Sequence, residues 1–377
     1  MSKHKNKQLP IQSASELLES YASGRRNFEA VNLWEADLRS APLAKINLSH
    51  AVLFKAVLDG AILVSANLNK ADLVRATLKT ANLDRASLHQ ANLYEADLSG
   101  ASLVSADLSQ ASLESAVLDR CDLGQANLQR ANLSRASLVQ ADLTQAELMA
   151  TVLSTSILTR AILHRANLSN ADLFEANLND ADLYKANLSK ASLSKANLSH
   201  ANLGEANLFE ASLEEALLIQ ANLEKVNLSQ SYLLGANLTE AILTKADLSR
   251  ANLLRADLSR ASLLAANLLE CNLEKAILSG ADLFGASLRR ANLTEAVLIE
   301  TDLREADLTG SNLQRANLTG ANLFGAELKD ANCEGANFAG ANLYGTKLTG
   351  VHFRGAFYDE KTEFNLKFDP VKHGMRS

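Results

Sequence analysis

Cysteine, proline and methionine are scarce in this 377-residue chain, at three residues each, and there is one tryptophan with aromatic residues at 5% overall. Three cysteines exclude a secreted scaffold stapled by disulfides. Polar and charged residues recur within every ten, which excludes a transmembrane helix. The basic start Met1–Lys7 is followed by no apolar run, so a disordered tail and not a signal peptide is expected there, in a soluble cytoplasmic chain. Neither charge sign dominates: 43 acidic residues face 37 basic ones for a net charge of −6. There is no nucleophile elbow, phosphate loop or zinc spacing. Of the seven histidines, His50, His89, His164 and His200 fall at separate places of one pattern, and a metal site needs convergent ligands. No enzyme, cofactor or metal is expected.

What the chain does have is leucine at every fifth position from Leu33 to Leu328, with the frame extended back to Phe28 and forward through Cys333, Phe338, Leu343, Leu348 and Phe353 to Tyr358. Ala usually stands two before the centre, Asn, Asp or Ser one before it, and polar residues follow. A fixed period marks a solenoid. On an α-helix a step of five advances about 500°, so the leucines would spray around the cylinder. In a flat strand an odd step would put alternate leucines in water. The backbone must turn a corner every five residues, and four corners close a coil.

The Ala-(Asn/Asp)-Leu-x-x frame from about residue 26 to 358 resembles the pentapeptide repeat family. The tail Tyr358–Phe364, with Phe368-Asp369-Pro370 and Gly374-Met375, is similar to endings of cyanobacterial members. The resemblance implies an all-β fold, a right-handed quadrilateral β-helix of about 17 coils. At about 4.8 Å per coil that is a single-domain rod roughly 80 Å long. Residues 1–12 read as a disordered tail, 13–25 as an N-terminal capping helix, 26–358 as the β-helix and 359–377 as a C-terminal cap and tail. Ser13-Ala14-Ser15-Glu16 has capping-box spacing, Leu17, Leu18 and Tyr21 share a helical face, and Gly24 fits the stop. Pro42, which lacks an N–H, falls in the first coil, where an edge tolerates it. Phe364, Leu366 and Phe368 are expected to fold over the last coil. Cys121, Cys271 and Cys333 take inward places as small hydrophobes.

Turn chemistry predicts positive φ at the corner glycines Gly335, Gly340, Gly345, Gly350 and Gly355, giving type II turns. The glycine-free segment Thr151–Leu158 is expected to use other turns or a more extended strand.

The position after each leucine points outward, so an apolar residue there needs a reason. Trp34, Phe54, Val74 and Tyr94 are 20 apart and form one column that ends at Glu114, with Val52, Val57 and Ile62 beside it where Asn or Asp is usual. Leu264 and Phe284, then Phe324 and Tyr344, form a second column interrupted by Arg304. Such stripes either stabilise the stack as cross-strand pairs or bind a partner. The candidate protein-binding residues are Trp34, Val52, Phe54, Val74 and Tyr94, for a protein partner of unknown identity or a second copy of the chain. The expected function is a non-catalytic scaffold or regulatory protein. The alternative, drawn from the family, is a DNA-mimicking inhibitor of a type II topoisomerase, DNA gyrase, which needs a strongly negative surface. Arg250, Arg255 and Arg260 lie on three successive sides, so a nucleic-acid partner is not expected. Nor is a membrane partner.

Overall fold

The computed structural model describes residues 13–377; the expected tail 1–12 lies outside the described residues. The chain folds into coils of a right-handed quadrilateral β-helix, preceded by one short helix. Two compact units, Met1–Ile162 and Leu163–Ser377, are built on the same rules.

Backbone hydrogen bonding explains why the sequence repeats as it does. Around Leu133 in the first unit, the Asn132 N–H donates to Ala111 O at 2.9 Å, and Leu133 and Arg135 N–H donate to Val152 O at 2.7 Å and Ser154 O at 3.0 Å in the next coil. The Ala136 N–H closes the corner onto Leu133 O at 3.0 Å. That leaves the Ser134 N–H, which the Asn132 side chain accepts at 3.0 Å. Every N–H of the unit thus finds an acceptor, as a buried or half-buried backbone requires. Asn or Asp stands before the leucine because its short side chain reaches the N–H two residues on. At Ser87 and Ser102, which take that place, the acceptor comes from the preceding coil: Asn69 accepts from the His89 N–H at 3.0 Å and Asp84 from the Val104 N–H at 3.2 Å.

Residues 20 apart pair in parallel, as Asn132 does with Val152 and Asn197 with Leu217. The leucines at the repeat centres and the alanines two places before them point inward and are buried from Leu38 to Leu343. Leu348 is only half-buried. Burying a leucine contributes about 1.5–3 kcal/mol, so the core holds the stack without covalent staples. Cys121, Cys271 and Cys333 are free and buried. Burial pushes the Cys121 thiol up to about 12, which leaves it unreactive.

The residue at each corner, two after the centre, has positive φ from Ala30 to Gly355 without exception. The preceding residue does not, and the N–H after the corner bonds back to the leucine carbonyl, which is the type II pattern. The five C-terminal glycines behave as expected, with φ between 67° and 77°. The expectation for Thr151–Leu158 is overturned, since Thr155 has φ of 57°. Coil closure imposes the left-handed conformation on every residue type, at about 1–2 kcal/mol per non-glycine corner.

Helix α1 (Ala14–Ala22) closes the N-terminal end. Ser13 caps it by accepting the Glu16 N–H at 3.3 Å, Leu17 is fully buried, and the Tyr21 hydroxyl donates to Ala44 O at 2.8 Å in the first coil. Pro42 occupies that first coil, pairing upward with Ile62. At the other end Phe338, Phe353, Phe368 and Phe364 form a chain of ring contacts with centroids 5.1–5.8 Å apart. Leu366 does not join them. It is 83% exposed, because the tail turns there and directs Phe368 rather than its neighbour inward.

Candidate functional site

Trp34 and Phe54 occupy matching places in adjacent coils, with ring centroids 6.4 Å apart and planes tilted by 34°. Trp34 is 59% exposed, the largest apolar surface of the column. The position after the leucine is otherwise mostly half-buried rather than exposed: Phe54, Val74 and Tyr94 are each partly covered by the next rung. Val52 and Ile62 stand out beside them at 38% and 45%. Ring contact joins Trp34 and Phe54 only; Val74 and Tyr94 continue the column one and two coils on. Lys55 lies over the Phe54 ring, 5.4 Å from its centroid, and pairs with Glu35 at 3.5 Å. A cleft of about 540 Å³ opens between Trp34, Asn32 and Asp37 and the start of α1 at Ser13–Ser15. At the far end Glu95 binds Arg75 at 2.6 Å, which holds its carboxyl below the usual range, and the hydrogen bond to Glu95 raises the Tyr94 phenol.

The apolar residues at Val52, Val57 and Ile62 have a local cost. Each removes the side-chain acceptor that Asn or Asp supplies, here for the N–H of Phe54, Asp59 and Val64.

In the second column Phe324 and Tyr344 stack at 6.1 Å with planes 21° apart, both nearly half exposed. Arg304 continues this column instead of interrupting it. Its guanidinium lies over the Phe284 ring at 5.4 Å while binding Asp302.

Sequence reasoning missed one polar cluster. His164 Nε2 meets Asp182 Oδ2 at 2.5 Å, its ring contacts Tyr184 edge-on at 5.9 Å, and the Tyr184 hydroxyl donates to Glu205 at 3.0 Å. The signal was the spacing of 18 to 21 residues, which places side chains of adjacent coils in contact. The group is open to solvent, with His164 and Asp182 side chains 41% and 35% exposed. Among the described residues no group of three His, Cys, Asp or Glu could hold a metal ion. No described helix is long and apolar enough to cross a membrane.

Charge is organised by the same spacing. Lys185–Glu205 at 3.2 Å, Lys190–Glu210 at 3.5 Å, Arg250–Glu270 at 3.0 Å and Arg260–Glu240 at 2.6 Å each join adjacent coils. The apparent basic run at Arg250 and Arg260 is therefore neutralised from neighbouring coils.

The sequence pattern of the Pentapeptide repeats family matches overlapping stretches that run from residue 41 to residue 355. Among solved structures the chain is similar to HetL of the cyanobacterium Nostoc, a pentapeptide repeat protein involved in heterocyst differentiation regulation. The two are 31% identical over 83% of this chain and 98% of HetL, with a TM-score of 0.23. It is also similar to Rfr23, a pentapeptide repeat protein of the cyanobacterium Cyanothece, at 43% identity over 25% of this chain, with a TM-score of 0.25; the match spans 63% of that chain. QnrB1, a plasmid-mediated fluoroquinolone resistance protein, is 21% identical over 40% of this chain and 85% of its own length, with a TM-score of 0.19. No curated protein matches the chain. With the repeat matched over most of its length, the chain belongs to the pentapeptide repeat family.

Proposed function

We propose that the chain is a non-catalytic scaffold or regulatory protein that binds a protein partner through the side bearing Trp34, Phe54, Val74 and Tyr94, with Val52 at its flank. The observation that carries this reading is the exposed Trp34 indole set against Phe54, beside positions where apolar residues replace the backbone-capping Asn or Asp. A ladder that only stabilised the stack would not need the exposure of Trp34, at 59% the greatest among the large apolar side chains of the described coils. Exposed tryptophan next to aliphatic neighbours is the composition of a binding hot spot. The relation to HetL, involved in regulation of heterocyst differentiation, supports a regulatory role. The paired charges speak against a DNA mimic, because alternating signs along the corners cancel the field that such mimicry needs. We place its action in the cytoplasm.

The test is affinity capture from the native cell with wild type and Phe54→Glu, followed by mass spectrometry. A partner retained by wild type and lost from a variant of unchanged melting temperature supports the reading. Equal capture with a lowered melting temperature refutes it and leaves the column a stabilising ladder.

A further inference from the structure

Corner residues 20 apart stack in one column, and in the second unit the column through Lys275 alternates in charge. Glu295 pairs with Lys275 below it and Arg315 above it, both at 3.7 Å. The next two corners are Gly335 and Gly355, so the ladder stops on a cation where another carboxylate would continue it. Near the place of a Cβ on Gly335 lies the Arg315 Cγ, at 3.6 Å, and the same place on Gly355 is open space. The two glycines leave a notch two rungs high, about 10 Å.

Two more arginines border this notch. Arg354 stands immediately before the Gly355 corner. The tail supplies the other: it crosses the Arg354 backbone at Gly374 and then pairs with the last coil, the Arg376 N–H donating to Ala356 O at 2.8 Å. The resulting cleft of about 240 Å³ is lined by Arg315, Arg354 and Arg376, by Gln314 and by one carboxylate, Glu334. Three guanidinium groups against that carboxylate leave two positive charges in excess. Elsewhere on this unit corner cations are neutralised from a neighbouring coil, as Lys190 is by Glu210 and Arg260 by Glu240. Arg354 and Arg376 have no ion pair among the described residues.

The backbone donors at the notch are already used, the Gly335 N–H by Arg354 O at 3.0 Å and the Gly355 N–H by Gly374 O at 2.7 Å. Recognition of a ligand falls to the side chains, and guanidinium forks match the oxygens of carboxylate and phosphate. The charge excess decides between these two. A carboxylate balances half of it, whereas a phosphate dianion balances all of it and presents oxygens on several sides. No aromatic ring is among the lining residues, so a nucleobase finds nothing to stack on.

We propose that the notch at Gly335 and Gly355 binds a small phosphate dianion, held by Arg315, Arg354 and Arg376 and opposed by Glu334. The anion takes the place of the missing carboxylate rung above Arg315. This site lies in the second unit and does not rest on the Trp34 reading.

The experiment titrates inorganic phosphate into the full chain at constant ionic strength, at a pH above the second phosphate ionisation, with calorimetry and phosphorus NMR as readouts. Binding should be saturable, and Arg354→Gln should weaken it at least about tenfold, the worth of one charged hydrogen bond. Glu334→Gln should tighten it, because it removes the one like charge in the cleft. Arg354 is exposed and Glu334 half-buried, so both variants should keep the melting temperature of the wild type. Acetate at the same ionic strength should compete poorly. Absence of saturable binding overturns the proposal, as does an affinity that Arg354→Gln fails to weaken or Glu334→Gln fails to tighten. Acetate binding as tightly as phosphate overturns the assignment to a dianion.

Discussion

The Thr301 hydroxyl donates to the Leu278 carbonyl of the preceding coil at 2.8 Å, and this is how the inward alanine column admits a polar side chain. Thr151 does the same to Leu128 at 2.9 Å, while Ser156 and Ser231 reach back to Leu153 and Leu228 at 2.6 Å and 2.5 Å. Ser311 sits in the same column, but its buried hydroxyl has no partner among the described residues. Removing a satisfied hydroxyl costs roughly 1 kcal/mol, whereas removing an unsatisfied one relieves its desolvation. Ser311→Ala should therefore hold or raise the thermal midpoint and Ser231→Ala should lower it. Circular dichroism melts in the reverse order would show that Ser311 is bonded in solution.

The core should respond to volume in both directions. Ala196 and Leu198 are fully buried in adjacent inward places, and Ser199 is half-buried with no core contact to lose. Ala196→Leu should overpack the coil and cost about 1–3 kcal/mol, and Leu198→Ala should leave a cavity costing about 2–5 kcal/mol. Ser199→Ala should be nearly silent in denaturant titration. Equal midpoints for Leu198→Ala and Ser199→Ala would contradict the inward and outward assignment.

Corner strain gives a third expectation. Thr155 is β-branched at φ of 57°, a conformation that crowds its Cβ, whereas Gly335 holds φ of 67° with only the flexible Arg315 side chain near the place of a Cβ. Gly335→Thr should destabilise by about 1–2 kcal/mol, and Thr155→Gly should gain less than that, because glycine adds unfolded-state entropy. Chemical denaturation of the two variants checks both signs. A stabilised Gly335→Thr would mean that the left-handed corner carries no strain.

Much of this was legible in the sequence because the period is a backbone property. An odd step of five, with leucine at its centre, leaves no regular element except a cornered coil, and the Asn or Asp before the leucine reads directly as a backbone cap. Glycine misled in one respect: its concentration at Gly335–Gly355 suggested special corners, yet coil closure forces Thr155 and Arg165 into the same conformation. Tertiary geometry there overrides residue preference. The His164–Asp182 contact and the Arg304–Phe284 contact were hidden for another reason, since they depend on which rotamers meet across coils and not on the frame itself. Leu366 was misplaced because hydrophobicity alone does not tell which residue of a turning tail faces the core.

The charge ladder offers a prediction with a definite sign. Glu270 accepts from Arg250 Nε at 3.0 Å and from Arg290 Nη1 at 3.4 Å, and these bonds, Arg250's first, hold its carboxyl below the ordinary 4.5. A carboxyl whose folded pKa is depressed binds its proton less readily in the folded chain than in the unfolded one. Its contribution to stability is then complete above the unfolded value near 4.5 and is lost as pH falls through the lower folded value. The carboxyl resonance of Glu270 should titrate below 4.5 in NMR, and Arg250→Ala should move the midpoint upward by more than Arg290→Ala does. Added salt should shrink both effects, because the pairs are exposed and screened. A midpoint at the ordinary value, unmoved by either substitution, would show that the ion pairs joining adjacent coils are not formed in solution and do not cancel the surface field.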